Sequence, residues 1–562
     1  MNVLKGAVAM EYIKGCPSTS MDDYQLNITT LIRHAARNFP EREIVYRTNE
    51  GALRYNYKDA YSRINRLARA IRHLGIQPGD RVGVLDWNTH RFFESYFAIP
   101  GTGAVLLQMN LRLAPIELVY VANHSEAQYI FVDETLLSIA EEIAPKLEAV
   151  KGYVIMTDKI PGSIKTNLSP IYYYEDLIGN ESSAEFDWPV IDEKSAYSAC
   201  YTSGTTGAPK GVYYSHRCIY LHAMMYALFA RIQHTDTLMQ LVPMFHAQGW
   251  GIWQSAVFMG AKIILPGRYS LEDAEELINL MNAERMTVVN GAPALFMAFL
   301  QQIEKMAKKP DFSGARIISG ATEPPLSLMK GWQEHTGAEF IHIYGATETA
   351  PLCLCNVLKP SLAERLSDEE KWELMKKQGM PVPGLDVKIV NFDGQEIPHD
   401  GVTAGEILVR GPWVTGSYYK DSRSKDSFVD GYWKSADAGS IDSDGYVKIV
   451  DRYKDLIKSG GEWISSIDLE NAMAAHPDVE EATVVGLEHP KWEERPFALV
   501  VLKATSKNKN MTSKDILDFI APKFAKWQLP DEIRVVDAIP KTSVGKFNKK
   551  EIRKIFKDEY LQ

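Results

Sequence analysis

Between Tyr55 and Met156 the chain alternates between two periodicities, and that alternation restricts the fold more than any other feature. Helical patterns cover Lys58–Leu74, start again at Arg91, recur near Pro115–Ala122 and resume from Leu136. Strand-like runs stand between them at Arg81–Leu85, Ala104–Leu107, Tyr129–Val132 and Tyr153–Met156. Strand and helix taken in turn at this spacing predict a parallel sheet with helices on both faces. The turn Gln77-Pro-Gly-Asp80 before the first strand fits that reading. A second series places strands at Thr237–Val242, Ala261–Leu265 and Met286–Val289, and helices at Trp250–Met259, Leu271–Ala283 and Pro293–Lys305. Two such sheets side by side leave a crevice at their strand ends, where ligands bind in folds of this kind.

From Gly384 to Val450 the texture changes to short alternating strands separated by turns such as Asn391-Phe-Asp-Gly394, Asp430-Gly431 and Asp444-Gly445. That reads as a small distorted antiparallel barrel or sheet. Arg452–Gly461 interrupts it before a mixed tail with helices at Ser466–Ala475 and Ser513–Ala521. A length of 562 residues exceeds one ordinary core. The expected fold class is α/β: a large N-terminal domain of two doubly wound sheets plus the small distorted β-barrel over residues 1–453, then a smaller α+β domain over 454–562.

Chemistry concentrates first in Tyr201-Thr-Ser-Gly-Thr-Thr-Gly-Ala-Pro-Lys-Gly-Val212, read as a loop between the strand Ala196–Tyr201 and a helix over Arg217–Ala230. Gly204, Gly207 and Gly211 let the backbone curl so that N–H groups converge; Thr202, Ser203, Thr205 and Thr206 add hydroxyls, and Lys210 adds charge. Such a loop holds phosphate oxygens. It lacks the Gly-Lys-Ser/Thr ending of P-loop NTPases. A flexible linker has no reason to carry Pro-Lys-Gly there.

Further along, Val242-Pro-Met-Phe-His-Ala-Gln-Gly-Trp250 puts His246 and Trp250 at a sheet end, although on composition alone Trp250 and Phe245 read first as plain core and His246 as structural. In Ser319-Gly-Ala-Thr-Glu323, small residues let a flat ring lie on backbone, and Tyr344 in Ile343-Tyr-Gly-Ala-Thr-Glu-Thr349 offers a stacking face. Thr347 can donate to phosphate, and Glu348 can hold magnesium, which takes oxygen ligands and substrate phosphates; a capped strand end is the plainer reading of that segment. The Asp437 carboxylate, in Tyr432-Trp-Lys-Ser-Ala-Asp437, can accept two ribose hydroxyls. In Asp451-Arg-Tyr-Lys-Asp-Leu-Ile-Lys-Ser-Gly-Gly461, Arg452 and Lys454 share one side of an extended chain. Gly460-Gly461 then loosen the backbone before a helix capped by Ser465 or Ser466. Lys546 closes Ile539-Pro-Lys-Thr-Ser-Val-Gly-Lys546 near the C-terminus.

These motifs, in this order from about Asp22 to the end, resemble the adenylate-forming enzymes: acyl-CoA synthetases, nonribosomal adenylation domains and firefly-type luciferases, with the medium- and long-chain fatty acyl-CoA synthetases most similar. The resemblance implies ATP-dependent activation of a carboxylic acid to an acyl-adenylate, then thioester formation with CoA, with Mg2+ required. It implies that Gly320, Ala321, Thr322, Tyr344 and Gly345 bind adenine and phosphate, with Thr347 beside them. By the same resemblance Thr202 and Glu348 would hold the metal, Asp437 and Arg452 the nucleotide, and His246 would border the carboxylate. Trp250, with Gly345, would gate or line the acyl pocket, which Met259 and Trp413 also shape. Lys458, Gly461 and Trp463 would serve the CoA side, Lys454 would be the hinge of a mobile C-terminal domain, and Lys546 would bridge carboxylate and α-phosphate. Ser435-Ala436 stands where the family has Thr-Gly before its ribose-binding aspartate, which puts the shape of that turn in question.

The bulk properties agree with a cytoplasmic enzyme. No apolar run is long enough to cross a bilayer, so no membrane insertion is expected. Five cysteines, odd in number and mostly far apart, make no disulfide framework, and Cys353-Leu-Cys355 reads as strand core. A net charge of −10 argues against nucleic acid as a partner. The expected partners are a small carboxylic acid, ATP and CoA, with a homodimer as the family's usual assembly. Other readings are a synthetase for short or hydroxylated acids, an amino-acid adenylating enzyme, a luciferase-like oxygenase and a catalytically silent acyl- or AMP-binding protein.

Overall fold

The computed structural model describes residues 13, 15–48, 51–160, 162–202, 208–391, 393–453, 455–459, 462–503, 511–541 and 547–561. Ser203, Gly204, Thr205, Thr206, Gly207, Lys454, Gly461 and Lys546 lie outside the described residues, as does the side chain of Trp463. The chain divides into two compact units, one of residues 1–386 with 409–433, the other of 387–408 with 434–562.

The first unit contains two large sheets. One has seven strands in the order Ile171–Tyr173, Gly152–Met156, Ala127–Asp133, Arg81–Leu85, Val105–Gln108, Ala196–Thr202 and Lys210–Ser215. Its neighbours pair parallel up to Ala196–Thr202, and only the last pair is antiparallel. The other has nine strands, and its centre runs Glu339–Gly345, Arg316–Ser319, Val288–Gly291, Thr237–Gln240, Lys262–Leu265, all parallel. The alternation of strand and helix predicted from the sequence is therefore present in both sheets. What local pattern did not reveal is the strand Glu43–Thr48, which comes from far upstream to pair parallel with Lys262–Leu265, Ile44 opposite Ile263.

One apolar core joins the two sheets: Val82, Val84 and Leu106 from the first share it with Ile263, Leu238, Val288 and Ile318 from the second. Between them lies the helix His90–Gly101, buried on every side, which is why its pattern is apolar all round. Its N-cap Thr89 accepts from the Phe92 N–H. Phe93, Phe97 and Tyr96 of this helix pack on the Trp253 ring at 5.0–5.8 Å. Each fully buried ring of this kind contributes about 1.5–3 kcal/mol to stability.

The second unit takes most of a small five-stranded sheet built from Asp386–Val390, Gly405–Arg410, Phe428–Val429, Tyr432–Ile441 and Val447–Arg452. It adds another five-stranded sheet in which Val479–His489 and Glu493–Leu502 form a long antiparallel pair. The helices Ser466–Ala474 and Ser513–Ile520 pack on that sheet through Leu469, Met473, Ile516 and Ile520. Ser465 is the cap of the former, accepting from the Asp468 N–H at 3.1 Å.

Candidate active site

Thr202 and Lys210 sit opposite each other in register at the end of an antiparallel hairpin where the glycine-rich segment joins its two strands. This corrects the expected strand–loop–helix arrangement: the glycine-rich segment is followed by the strand Lys210–Ser215, and the helix, His216–Phe229, starts only after it. The misreading has a physical origin. Gly211 is a poor strand former by composition, yet it is required here, because a Cβ at that position would lie 2.9 Å from the Tyr201 ring crossing it. The Lys210 ammonium stands 4.4 Å over the Tyr418 ring and 3.5 Å from the Ser427 hydroxyl. The Tyr214 hydroxyl donates to the Thr347 carbonyl at 2.7 Å, tying the hairpin to the next motif.

That motif follows the strand Glu339–Gly345. Only glycine fits at 345, since a Cβ would fall 1.7 Å from the Pro351 carbonyl oxygen. The Thr415 N–H donates to the Glu348 carbonyl at 2.8 Å, and the Tyr418 hydroxyl donates to Glu348 Oε1 at 2.7 Å. Tyr418 in turn accepts from Trp433 Nε1 at 3.2 Å. Burial, together with the Glu348 charge, pushes the Tyr418 phenol well above its usual range, so it remains a donor. Tyr418 is thus a hub between two of the expected site residues, Lys210 and Glu348. Nothing in Gly416-Ser-Tyr-Tyr-Lys420 announced it, because the segment has no periodicity.

Trp250 lies in the most strained segment. Five consecutive residues, Ala247 to Gly251, have φ of +42°, +58°, +62°, +67° and +74°. Glycines adopt that region freely, whereas Ala247, Gln248 and Trp250 each cost roughly 1–2 kcal/mol there. The run survives because buried side chains hold it. Gln240 Nε2 and Asn290 Nδ2 donate to the Gly249 carbonyl at 2.9 and 3.0 Å. The Gln248 N–H donates to Gln108 Oε1 at 2.8 Å, and Trp253 Nε1 donates to the Gln248 carbonyl at 2.9 Å. All three amide side chains are fully or almost fully buried. The sequence did carry a trace of this, since Gln240 and Asn290 are amides at the ends of otherwise apolar strand runs. Trp250 itself is buried, and its Cη2 lies 3.5 Å from where a Cβ on Gly320 would stand. His246 is exposed at the start of the turn. Cys200 connects these parts: the Ala247 N–H reaches its thiol, which burial, with the Glu348 charge adding, pushes up to about 12.

Beyond Gly320, Ala321 has φ +74° and is exposed together with Thr322, while Tyr344 is half-buried. The small residues expected to border a flat ring are therefore placed at a strand end beside Trp250. Met259 and Trp413 are held apart from each other in their roles: Met259 ends the helix Ile252–Met259, and Trp413 is buried, donating from Nε1 to the Leu352 carbonyl at 3.0 Å. Cys353 and Cys355 are buried in the strand Leu352–Cys355, as expected of strand core, and all five cysteines are free.

In the second unit, Asp437 and Arg452 face each other across two strands, with Arg452 Nη1 2.8 Å from Asp437 Oδ1. In place of the expected turn, Ala436 lies within the strand Tyr432–Ile441 with a left-handed φ of +57°, and its carbonyl accepts from the Tyr453 N–H at 2.9 Å. Lys458 pairs with Glu493 at 2.9 Å, both well exposed. Asp451 accepts from the Ser466 N–H at 2.8 Å, and Asp455 pairs with Arg553 at 2.7 Å.

Thr202 and Glu348 supply hard oxygen donors, and among the described residues no group of three or more His, Cys, Asp or Glu side chains is gathered to hold a metal. A single carboxylate plus a hydroxyl fits magnesium, which keeps most of its shell for water and substrate phosphates.

Comparison with known proteins agrees with this geometry. The family model described as AMP-binding enzyme matches residues 32–419, and the AMP-binding enzyme C-terminal domain model matches 468–546. The chain belongs to the AMP-binding enzymes, and within them to the acid–thiol ligases. It is 39% identical over 556 residues to a long-chain-fatty-acid–CoA ligase of Thermus thermophilus, covering 98% of this chain and 99% of the relative. It is also 39% identical over 537 residues to a 3-methylmercaptopropionyl-CoA ligase of Ruegeria lacuscaerulensis, covering 95% and 98%. The fold matches a crystal structure of an anthranilate CoA ligase in complex with anthranoyl-AMP, with a TM-score of 0.79 at 24% identity over 96% of this chain and 99% of that one. Among the described residues no helix is long and apolar enough to cross a membrane.

Proposed function

We propose that this protein is an ATP-dependent fatty acyl-CoA synthetase. The observation that carries the reading is the convergence on one strand-end region of Lys210, Glu348 propped by Tyr418, and an apolar Trp250 face against Gly320. The residues from Ala247 to Trp253 include no acidic side chain to pair a substrate amine, which favours a simple carboxylic acid over an amino acid.

In the first half-reaction the carboxylate oxygen attacks the α-phosphorus of ATP and pyrophosphate leaves. The loop from Thr202 to Lys210 holds phosphate oxygens, Thr347 donates beside them, and the segment Gly320–Thr322 with Tyr344 and Gly345 takes the adenine. Magnesium, when bound through Thr202 and Glu348, offsets the phosphate charge. Asp437 accepts the ribose hydroxyls, with Arg452 beside it. Lys546, as the resemblance implies, would come between the two anions and lower their repulsion as they join. In the second half-reaction the CoA thiol attacks the acyl carbonyl, and AMP leaves. Lys458, Gly461 and Trp463 serve that step, and the domain of residues 454–562 turns about Lys454 to exchange one set for the other. His246 and Trp250 border the acid, whose apolar tail packs on the indole.

A panel of saturated acids from two to eighteen carbons, with hydroxylated and methylthio short acids, scored by CoA-dependent AMP release, tests the reading. The expected result is highest turnover with a medium or long saturated acid. Highest turnover with a short or substituted acid overturns the fatty-acid assignment, and no pyrophosphate exchange with any acid overturns the ligase.

A further inference from the structure

We propose that Gln240 and Asn290 are positioning residues that set which acids this enzyme accepts, by clamping the left-handed turn that carries Trp250. The inference rests on the reading above that Trp250 borders the acid.

Each amide is anchored twice. Gln240 Nε2 donates to the Val242 carbonyl at 2.7 Å as well as to that of Gly249, and Asn290 Oδ1 accepts from the Leu241 and Val242 N–H groups at 3.0 and 3.3 Å while its Nδ2 holds Gly249. Both are wholly buried. The turn is thereby fixed to the strand end from which it departs. On its other side Gln248 is held through Gln108 Oε1 and, at 3.2 Å, by the Ser198 hydroxyl, both from the seven-stranded sheet. The clamp thus gathers both sheets on one short run. Three of the five residues in that run would relax to the right-handed region if released. Relaxation would turn the indole away from Gly320, where its Cη2 now stands in van der Waals reach, 3.5 Å from the position a Cβ would take. Local backbone strain of this kind persists where the surroundings over-determine it, and it gathers at functional sites. Gly249 itself cannot be replaced without disturbing the clamp, because a Cβ there would lie 2.5 Å from Gln240 Nε2. Among the described residues the Gln240 and Asn290 side chains bond to Leu241, Val242, Gly249 and each other rather than to Thr202, Lys210 or Thr347, so their effect should fall on the acid.

The test compares Asn290→Asp, which keeps size and the acceptor but turns the donor into an acceptor facing a carbonyl, with Gln240→Met and with Trp250→Leu. For each, kcat and KM are measured across the acid panel and for ATP. The expected result for Asn290→Asp is an increase of about tenfold in KM for the preferred acid and a flattened chain-length profile. The ATP KM should stay within about twofold. Gln240→Met, which removes one donor and leaves the other, should move the profile the same way by less, and it carries the test if Asn290→Asp does not fold. If Trp250→Leu changes the profile while both amide variants keep it, the clamp is wrong and the acid site stands. If Trp250→Leu leaves the profile unchanged, the placing of the acid beside Trp250 is wrong. Equal rises in the acid and ATP KM values overturn the clamp as well, since they mark a general loss of structure.

Discussion

The hairpin flanking the glycine-rich segment and the turn Ala247–Gly251 both lie at strand ends of the first unit, and they reach their function by opposite routes. The hairpin presents its own residues: Thr202 and Lys210 pair in register where the glycine-rich segment joins the strands, and the hydroxyls, glycines and lysine are legible one by one in the sequence. The turn is shaped from behind, by Gln108, Gln240 and Asn290, which come from three separate strands or their ends. Groups that hold a charged ligand can be carried on the segment itself, because charge and hydrogen-bonding capacity belong to residue type. A surface that selects among apolar tails needs a fixed shape, and a short strained run cannot fix its own.

The largest expected effect tests the first route at its extreme. Lys546→Ala should lower adenylate formation by about 10²-fold or more, read by pyrophosphate exchange, while CoA transfer to supplied acyl-adenylate is spared. Equal loss of both would mean that Lys546 does not act through its own charge at the first step. Next in size, Tyr418→Phe asks whether the charged side of the site is also propped from behind. It removes the donor to Glu348 but leaves the ring under Lys210. A hydrogen bond to a carboxylate is worth about 1.5–3 kcal/mol, so adenylation should fall about ten- to a hundredfold, with a higher Mg2+ concentration needed for half-maximal rate. No change in either quantity would return Glu348 to the self-sufficient class.

Acid should weaken the first unit through histidines buried behind both the turn and the hairpin. His222 packs against Gly251, and its Nε2 accepts from the Leu352 N–H at 3.2 Å; burial pushes its pKa down to about 3. Burial likewise pushes His216 and His342 down to about 4. Each folded-state value lies below that of free imidazole, so the unfolded chain binds more protons, and stability present above about pH 6.5 is lost as pH falls toward 4. Each histidine contributes about 1.4 kcal/mol per pH unit in that window. A melting temperature that stays level from pH 7 to pH 5 would contradict their burial. The smallest effect is expected at a third strained position. Ala436→Gly relieves a left-handed alanine and should raise stability by at most about 1 kcal/mol in chemical unfolding, since the added freedom of the unfolded chain offsets part of the gain.

Much of the fold was open to reading because strands and helices of the two sheets repeat a local pattern; the helix Pro293–Lys305 and the strand Arg81–Leu85 fall where periodicity put them. Glu43–Thr48 escaped, since its partner Lys262–Leu265 is more than two hundred residues away and pairing leaves no local mark. Lys210–Ser215 escaped because its glycine looked like loop, although a tyrosine ring crossing the strand demands that glycine. Tyr418 and Asn290 escaped because each acts on a residue far along the chain, and Gln240 because a buried amide at a strand end carries no periodic signal.

The order of motifs and the kinds of side chain in them determined the family, since a loop of glycines, hydroxyls and a lysine, a carboxylate after a strand and a late lysine are properties of residue identity. The tertiary structure alone decided the hand of the backbone at Trp250, the support beneath Glu348 and the pairing of Asp437 with Arg452. Each of these depends on a hydrogen bond or ion pair between groups that only folding brings within about 3 Å, and such a bond has no counterpart in the spacing of residues along the chain.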